Sequence, residues 1–309
     1  MLTIFYSEKF LDHHTGASHP ERPQRLQAIV ERLKTSEIAD QLRWQEPKSA
    51  TREQLLWIHE PALIDLVEQT AQRGGGYLDP DTVVSPQSFS VALLAAGAWL
   101  DGVDAVLASA QPAWVVARPP GHHAERNQAM GFCLFSNAAL AANYALRSGV
   151  KRVAILDWDV HHGNGSQQIC WDDPRIAYVS LHQSPHYPGT GQIGECGAHQ
   201  NILNIPLPAR CGRKEYQAAF DQQVWPFIEN FQPELFIVSA GFDANYADPL
   251  AEMVLLPKDF GDFARQCLAR IPKVLFGLEG GYDLDSLAES VLAVSVACLE
   301  PRKFEVPNT

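Results

Sequence analysis

The sequence predicts an α/β fold: a mostly parallel central sheet covered by helices on both faces. Three observations carry that expectation. Short apolar, β-branched runs recur as LTIFYS (2–7), AWVVA (113–117), RVAIL (152–156), IAYVSL (176–181), LFIVSA (235–240) and KVLFGL (273–278). Longer segments of helical period lie between them, among them Arg22–Lys34, Arg52–Gln72, Phe89–Ala108, Ser136–Ser148, Lys214–Asn230 and Lys258–Arg270. Such alternation builds parallel sheets. The runs are apolar nearly throughout rather than at every second position, which suits strands buried on both sides. No repeat, low-complexity tract or long linker divides the chain, so one domain is expected over residues 1–309.

Composition narrows the function classes. A net charge of −12 argues against a nucleic-acid partner, which needs a basic footprint. Six cysteines (Cys133, Cys170, Cys196, Cys211, Cys267 and Cys298) include no CxxC pair and suit a reducing, cytoplasmic compartment. MLTIFYSEKF lacks a basic segment followed by a long apolar one, so no signal peptide is expected. No run looks like the roughly 18 apolar residues of a membrane span. A soluble protein is expected.

Ligands of such folds bind beyond the carboxyl ends of the strands. The polar residues concentrate there: RPPGHHAERNQAMGFC follows AWVVA, and DWDVHHGNG follows RVAIL. HQSPHYPGTGQIGECG follows IAYVSL, GFDANYADPL follows LFIVSA, and EGGYDL follows KVLFGL. Asp157, Asp159 and His161 alternate, so an extended segment projects them to one side. Asp159 and His161 form a carboxylate–imidazole pair suited to a divalent metal, and Asp243 can add a third ligand. Two oxygens, one nitrogen and an open position match a catalytic zinc site, with iron(II) compatible. His122 and His123 suit acid–base work near neutral pH, and Asp157 can orient one of them. The Tyr282 hydroxyl can donate to a developing oxyanion. His13–His14 reads as a loop pair. There is no P-loop, no GxSxG elbow and no cysteine with a convincing histidine partner, which leaves metal-activated water as nucleophile.

The set HPERPQRL (19–26), RPPGHHAE (118–125), MGFCLFSN (130–137), DWDVHHGNG (157–165), SLHQSPHYPGTG (180–191), SAGFDANYADP (239–249) and EGGYDL (279–284) resembles the class II histone deacetylase family. That family includes bacterial deacetylase-like amidohydrolases, acetylpolyamine amidohydrolases and acetoin-utilisation proteins. The resemblance runs from about Tyr6 to Asp283, with the motifs in family order.

The resemblance implies an arginase-like, three-layer α/β/α fold and a zinc-dependent amidohydrolase. It assigns zinc to Asp159, His161 and Asp243. It makes His123 the base and acid, with His122 tuned through Asp157, and Tyr282 the group that polarises the scissile carbonyl. Phe132 and Tyr187 would flank an acyl-lysine channel. Potassium would sit near the zinc, against Asp157, Asp159, His161 and the backbone around Ser180 and Leu181. Arg25 would stand beside an internal cavity. Two positions depart from related patterns. Asn164 stands where class I relatives orient the second histidine with a carboxylate. Leu250 stands where polyamine-specialised relatives carry a glutamate, which favours acyl-lysine over acetylpolyamines.

Three other readings are a hydrolase of small acylated amines, a catalytically dead binding protein, and a binuclear manganese hydrolase of the arginase type. The complete histidine and metal set weighs against the second. The third needs an extra bridging carboxylate, where this chain has His162–Gly163–Asn164. Oligomeric state is not legible.

Overall fold

The computed structural model describes residues 1–301. Eight strands form one sheet in the order β2-β1-β5-β10-β9-β6-β7-β8. They are β1 Leu2–Phe5, β2 Leu42–Gln45, β5 Ala113–Val115, β6 Val153–Asp157, β7 Ile176–Gln183, β8 Ile202–Leu207, β9 Leu235–Ala240 and β10 Val274–Leu278. Every pairing among them is parallel. The remaining strands, β3 Gly76–Tyr77 and β4 Val83–Val84, make a separate antiparallel pair.

Helices Gln24–Lys34, Pro257–Arg270 and Leu284–Leu299 pack together as one layer, and Ser88–Ser109 packs on Asn137–Arg147 in the other. This is the expected α/β fold, with helices flanking a parallel sheet. Strands β5, β6, β7, β9 and β10 are buried at every position, as their apolar runs demand. The buried side chains form a continuous core cluster from Leu2 to Cys298.

The structure corrects several expectations. Strands β2 and β8 were not anticipated, because LRWQ and ILNIPL carry the mixed polarity of edge strands. The segment Arg52–Gln72 breaks into Arg52–Leu55 and Pro61–Gln72, since Pro61 starts a helix but cannot continue one. Lys214–Asn230 is interrupted by a π-helical turn at Phe220–Val224. The helix Leu284–Leu299 also escaped the sequence reading. Helix Ser88–Ser109 is, after all, long and apolar enough to cross a membrane, but 67% of its most apolar window is buried inside this fold. Its Ala- and Leu-rich surface serves the core on nearly all sides.

Candidate active site

The five chemistry-bearing loops leave β5, β10, β9, β6 and β7, which are consecutive in the sheet. Their carboxyl ends therefore meet, and residues from 121 to 282 converge on one floor. Strand β6 ends at Asp157, and the chain bends through the next six residues rather than staying extended. Asp157 and Asp159 still both reach His122, at 3.1 and 3.8 Å, although their other partners differ. Asp157 turns towards His122 and Tyr178, while Asp159 turns towards His161.

Asp159, His161 and Asp243 each offer one ligand atom, all within 4.8 Å of one another. His161 Nδ1 lies 3.1 Å from Asp159 Oδ1 and 3.2 Å from Asp243 Oδ2. The backbone N–H of Gly280 donates to Asp159 Oδ2 and that of Val160 to Asp243 Oδ1, both at 2.8 Å, which fixes the carboxylate planes. A Cβ on Gly280 would fall 2.1 Å from Asp243 Oδ2, so only glycine brings that strand end so close. Both carboxylates are fully buried. Burial alone would depress the His161 pKa, yet hydrogen bonds to Asp159 and Asp243 raise it to about 10. A buried site that attracts positive charge this strongly, with two oxygens and one nitrogen facing inward, fits a divalent metal.

The histidine pair stands beside this set, with ring centroids 4.0 Å apart. His122 Nδ1 contacts Asp157 Oδ2 at 3.1 Å, and Asp157 also accepts the Tyr178 hydroxyl at 2.9 Å. Burial opposes charge on His122, but the Asp159 and Asp157 carboxylates outweigh it and raise its pKa to about 10. His123 Nδ1 contacts Asn164 Oδ1 at 2.8 Å. The Asn164 amide nitrogen donates to Glu125 Oε1 at 2.7 Å, so its oxygen must face the imidazole. His123 therefore carries its proton on Nδ1 and keeps a lone pair on Nε2. Burial, then the neighbouring His122 and His161, hold its pKa well below the usual imidazole range.

A cavity of about 390 Å³ opens over this floor. Its wall includes Phe132, Tyr187, Leu250 and Tyr282, with His123 and His161 at the base. Tyr187 sets its ring edge-on to His123 at 5.1 Å, and Phe132 does so to Tyr282 at 5.9 Å. Phe132 has a positive φ of 68°, an uncommon conformation for a bulky residue, held by a 3.0 Å bond from its N–H to Thr82 Oγ1. Burial raises the Tyr282 pKa well above 10, so the phenol keeps its proton.

The other anticipated residues fall as follows. Ser180 and Leu181 lie on β7, with Ser180 in register with Asp157. Arg25 is buried; it donates to the carbonyls of Gly281 at 2.6 Å and Glu279 at 2.5 Å, and its guanidinium stands 5.0 Å over the Tyr282 ring. His162 points away from His161, bonded to Thr190 and Gln167. His13 and His14 lie in a loop, as expected, but in unlike settings. His13 is buried against Ser88 at 2.6 Å, while His14 is exposed.

Sequence reasoning missed Glu279, Asp248, Glu125, His186 and Asp81. Glu279 accepts from Gly121 N at 2.7 Å, His122 N at 3.2 Å and the Ser239 hydroxyl at 2.9 Å, anchoring the histidine loop. Its signal was legible, an acid directly after an apolar strand. Glu279, His122 and Cys133 also cluster within 4.8 Å, but burial holds the Cys133 thiol protonated and Glu279 is already bonded. His186 stacks on His161 with centroids 5.0 Å apart and contacts the Leu250 carbonyl at 2.9 Å. Asp81 is exposed and adjoins the cavity mouth.

The chain matches the histone deacetylase domain over residues 19–298. It is 52% identical to an uncharacterized protein of Synechocystis sp. over 98% of this chain and 100% of that one. It is 40% identical to a histone deacetylase-like amidohydrolase of Pseudomonas aeruginosa over 79% of this chain and 66% of that one. The crystal structure of the HDA15 HD domain superposes with a TM-score of 0.92 at 36% identity, covering 97% of this chain and 89% of that one. With that match running through every loop of the floor, the chain belongs to the histone deacetylase family and is a hydrolase acting on amide bonds.

Proposed function

We propose that the protein is a zinc-dependent deacylase that removes acetyl groups from lysine side chains of proteins or peptides. The observation that carries the reading is the cavity wall. The wall presents the rings of Phe132 and Tyr187 and the apolar side chain of Leu250 in one lining with His123, His161 and Tyr282. A lysine side chain is a run of methylenes ending in the acylated nitrogen, and this wall suits it. A carboxylate at position 250 would favour an internal ammonium instead.

Asp159, His161 and Asp243 would hold the metal, which supplies the Lewis acidity that amide hydrolysis needs. His123 accepts a proton from the attacking water on Nε2 and returns it to the leaving amine. Its Nδ1–H stays on Asn164 throughout, so the imidazolium is oriented by an amide and not neutralised by a carboxylate. The Tyr282 hydroxyl donates to the amide oxygen as negative charge develops there. His122, bonded to Asp157, adds positive charge beside the same oxygen. The reading includes a potassium ion against Asp157, Asp159, His161, Ser180 and Leu181, beneath the floor. It also includes a cytoplasmic setting, which six free cysteines suit.

Asp81 favours one competing substrate: an acylated polyamine whose distal ammonium would meet this carboxylate at the mouth. Turnover of acetyl-lysine peptides, acetylputrescine and acetylspermidine by the zinc-loaded protein separates the two. The peptides are expected to have the higher kcat/KM. A wide preference for the polyamines would overturn the argument from Leu250, and no turnover of either class would sink the reading.

A further inference from the structure

Tyr282 follows two glycines, and Gly281 has a φ of +114° that other residues rarely adopt. A peptide unit next to such a residue can rotate cheaply, and rotation would swing the phenol away from the cavity. The Gly281–Tyr282 peptide is gripped at both ends. Its carbonyl accepts from Arg25 Nε at 2.6 Å, and its N–H donates to Asp248 Oδ2 at 2.7 Å. The other oxygen of Asp248, Oδ1, accepts the N–H of Leu250 at 3.0 Å. Asp248 is buried, and the two residues it holds line the same cavity from different strand ends.

We propose that Asp248 is a positioning residue that locks the Gly281–Tyr282 peptide and ties it to Leu250, so that the oxyanion donor and the channel wall keep one relative placement. The proposal rests on the role given to Tyr282 above. Nothing in it requires Asp248 to touch substrate. An asparagine in its place retains the shape but offers one acceptor where two N–H groups need one each.

The test is a double-mutant cycle on the zinc-loaded protein with an acetyl-lysine peptide, comparing Asp248→Asn, Tyr282→Phe and the double variant. Tyr282→Phe is expected to lower kcat by about 100-fold, the scale of losing one oxyanion donor. Asp248→Asn is expected to lower kcat by about tenfold or more with KM changed far less, the scale of a misplaced catalytic group. In the Tyr282→Phe background Asp248→Asn should add almost nothing, because the group it positions is gone. It should also change the ratio of butyryl- to acetyl-lysine turnover, through Leu250. Thermal denaturation checks folding, and if Asp248→Asn does not fold, Asp248→Glu is read in the same way. Multiplicative losses, or no loss from either Asp248 variant, would overturn the proposal. An unchanged Tyr282→Phe would instead overturn the role of Tyr282 and the function built on it.

Discussion

His122 and His123 are neighbours in sequence with rings 4.0 Å apart, yet they stand in opposite electrostatic settings. His122 faces Asp157 and Asp159, and those carboxylates favour its charged form. His123 faces the neutral Asn164 amide, with burial and other imidazoles disfavouring charge. Two identical side chains are thus prepared for two jobs. One setting favours a charged imidazole, and the other leaves a neutral imidazole with the lone pair of Nε2 free. Proton transfer needs the second kind of group, so catalytic loss should be unequal when each is removed.

The largest expected effect breaks the pair. His123→Ala should lower kcat/KM on an acetyl-lysine peptide by about 1,000-fold or more, and His122→Ala by about 100-fold, within the usual range for acid–base groups. Equal losses, or the reverse order, would mean that the roles are exchanged or shared. A smaller effect comes from making the two settings alike. Asn164→Asp places a carboxylate on His123 and raises its pKa, so the acid limb of the kcat/KM profile should move to higher pH. Activity at low pH would fall and activity at high pH would change less than about tenfold. An acid limb that stays in place would show that His123 is not the group titrating.

The smallest effect uses a neutral histidine outside the cavity lining, read through stability and not activity. His59 is buried, its Nδ1 bonded to the Glu125 carbonyl and its Nε2 accepting the Ser136 N–H, so both nitrogens are committed in the neutral form. Burial lowers its pKa from 6.5 to about 4. The unfolded chain therefore binds the extra proton first as pH falls. This contribution to stability is complete above pH 6.5 and is lost progressively as pH drops towards 4. Each such group contributes a slope of about 1.4 kcal/mol per pH unit in that window. His59→Gln, which can reproduce both bonds, should flatten the pH dependence of denaturant unfolding by about that amount. An unchanged slope would contradict the buried neutral assignment.

The floor was legible in the sequence for a physical reason. Asp159, His161, Asp243 and the histidine pair directly follow apolar strands, where burying polar groups demands compensation. Of the supports, Glu279 left a local signal, an acid directly after an apolar strand, but Glu125 and Asp248 left none. They hold Asn164 and Tyr282 across 39 and 34 positions, and such spacings carry no local signature. Phe132 and Tyr187 were named from motif resemblance, because an aromatic residue in a loop otherwise reads as packing. His13 and His14 show the limit from the other side: adjacent and identical in type, they have opposite burial, which chain order alone does not encode. The edge strands β2 and β8 were missed because half-exposed pairing leaves no continuous apolar run.

The proposed hydrolysis requires Asp159, His161 and Asp243 to hold one metal ion. Zinc titration of metal-stripped protein, read by calorimetry and by elemental analysis after dialysis, tests this directly. One tightly held equivalent is predicted for the wild type and for His123→Ala, and none for Asp243→Ala. Two equivalents at this site, or undiminished binding by Asp243→Ala, would contradict the account.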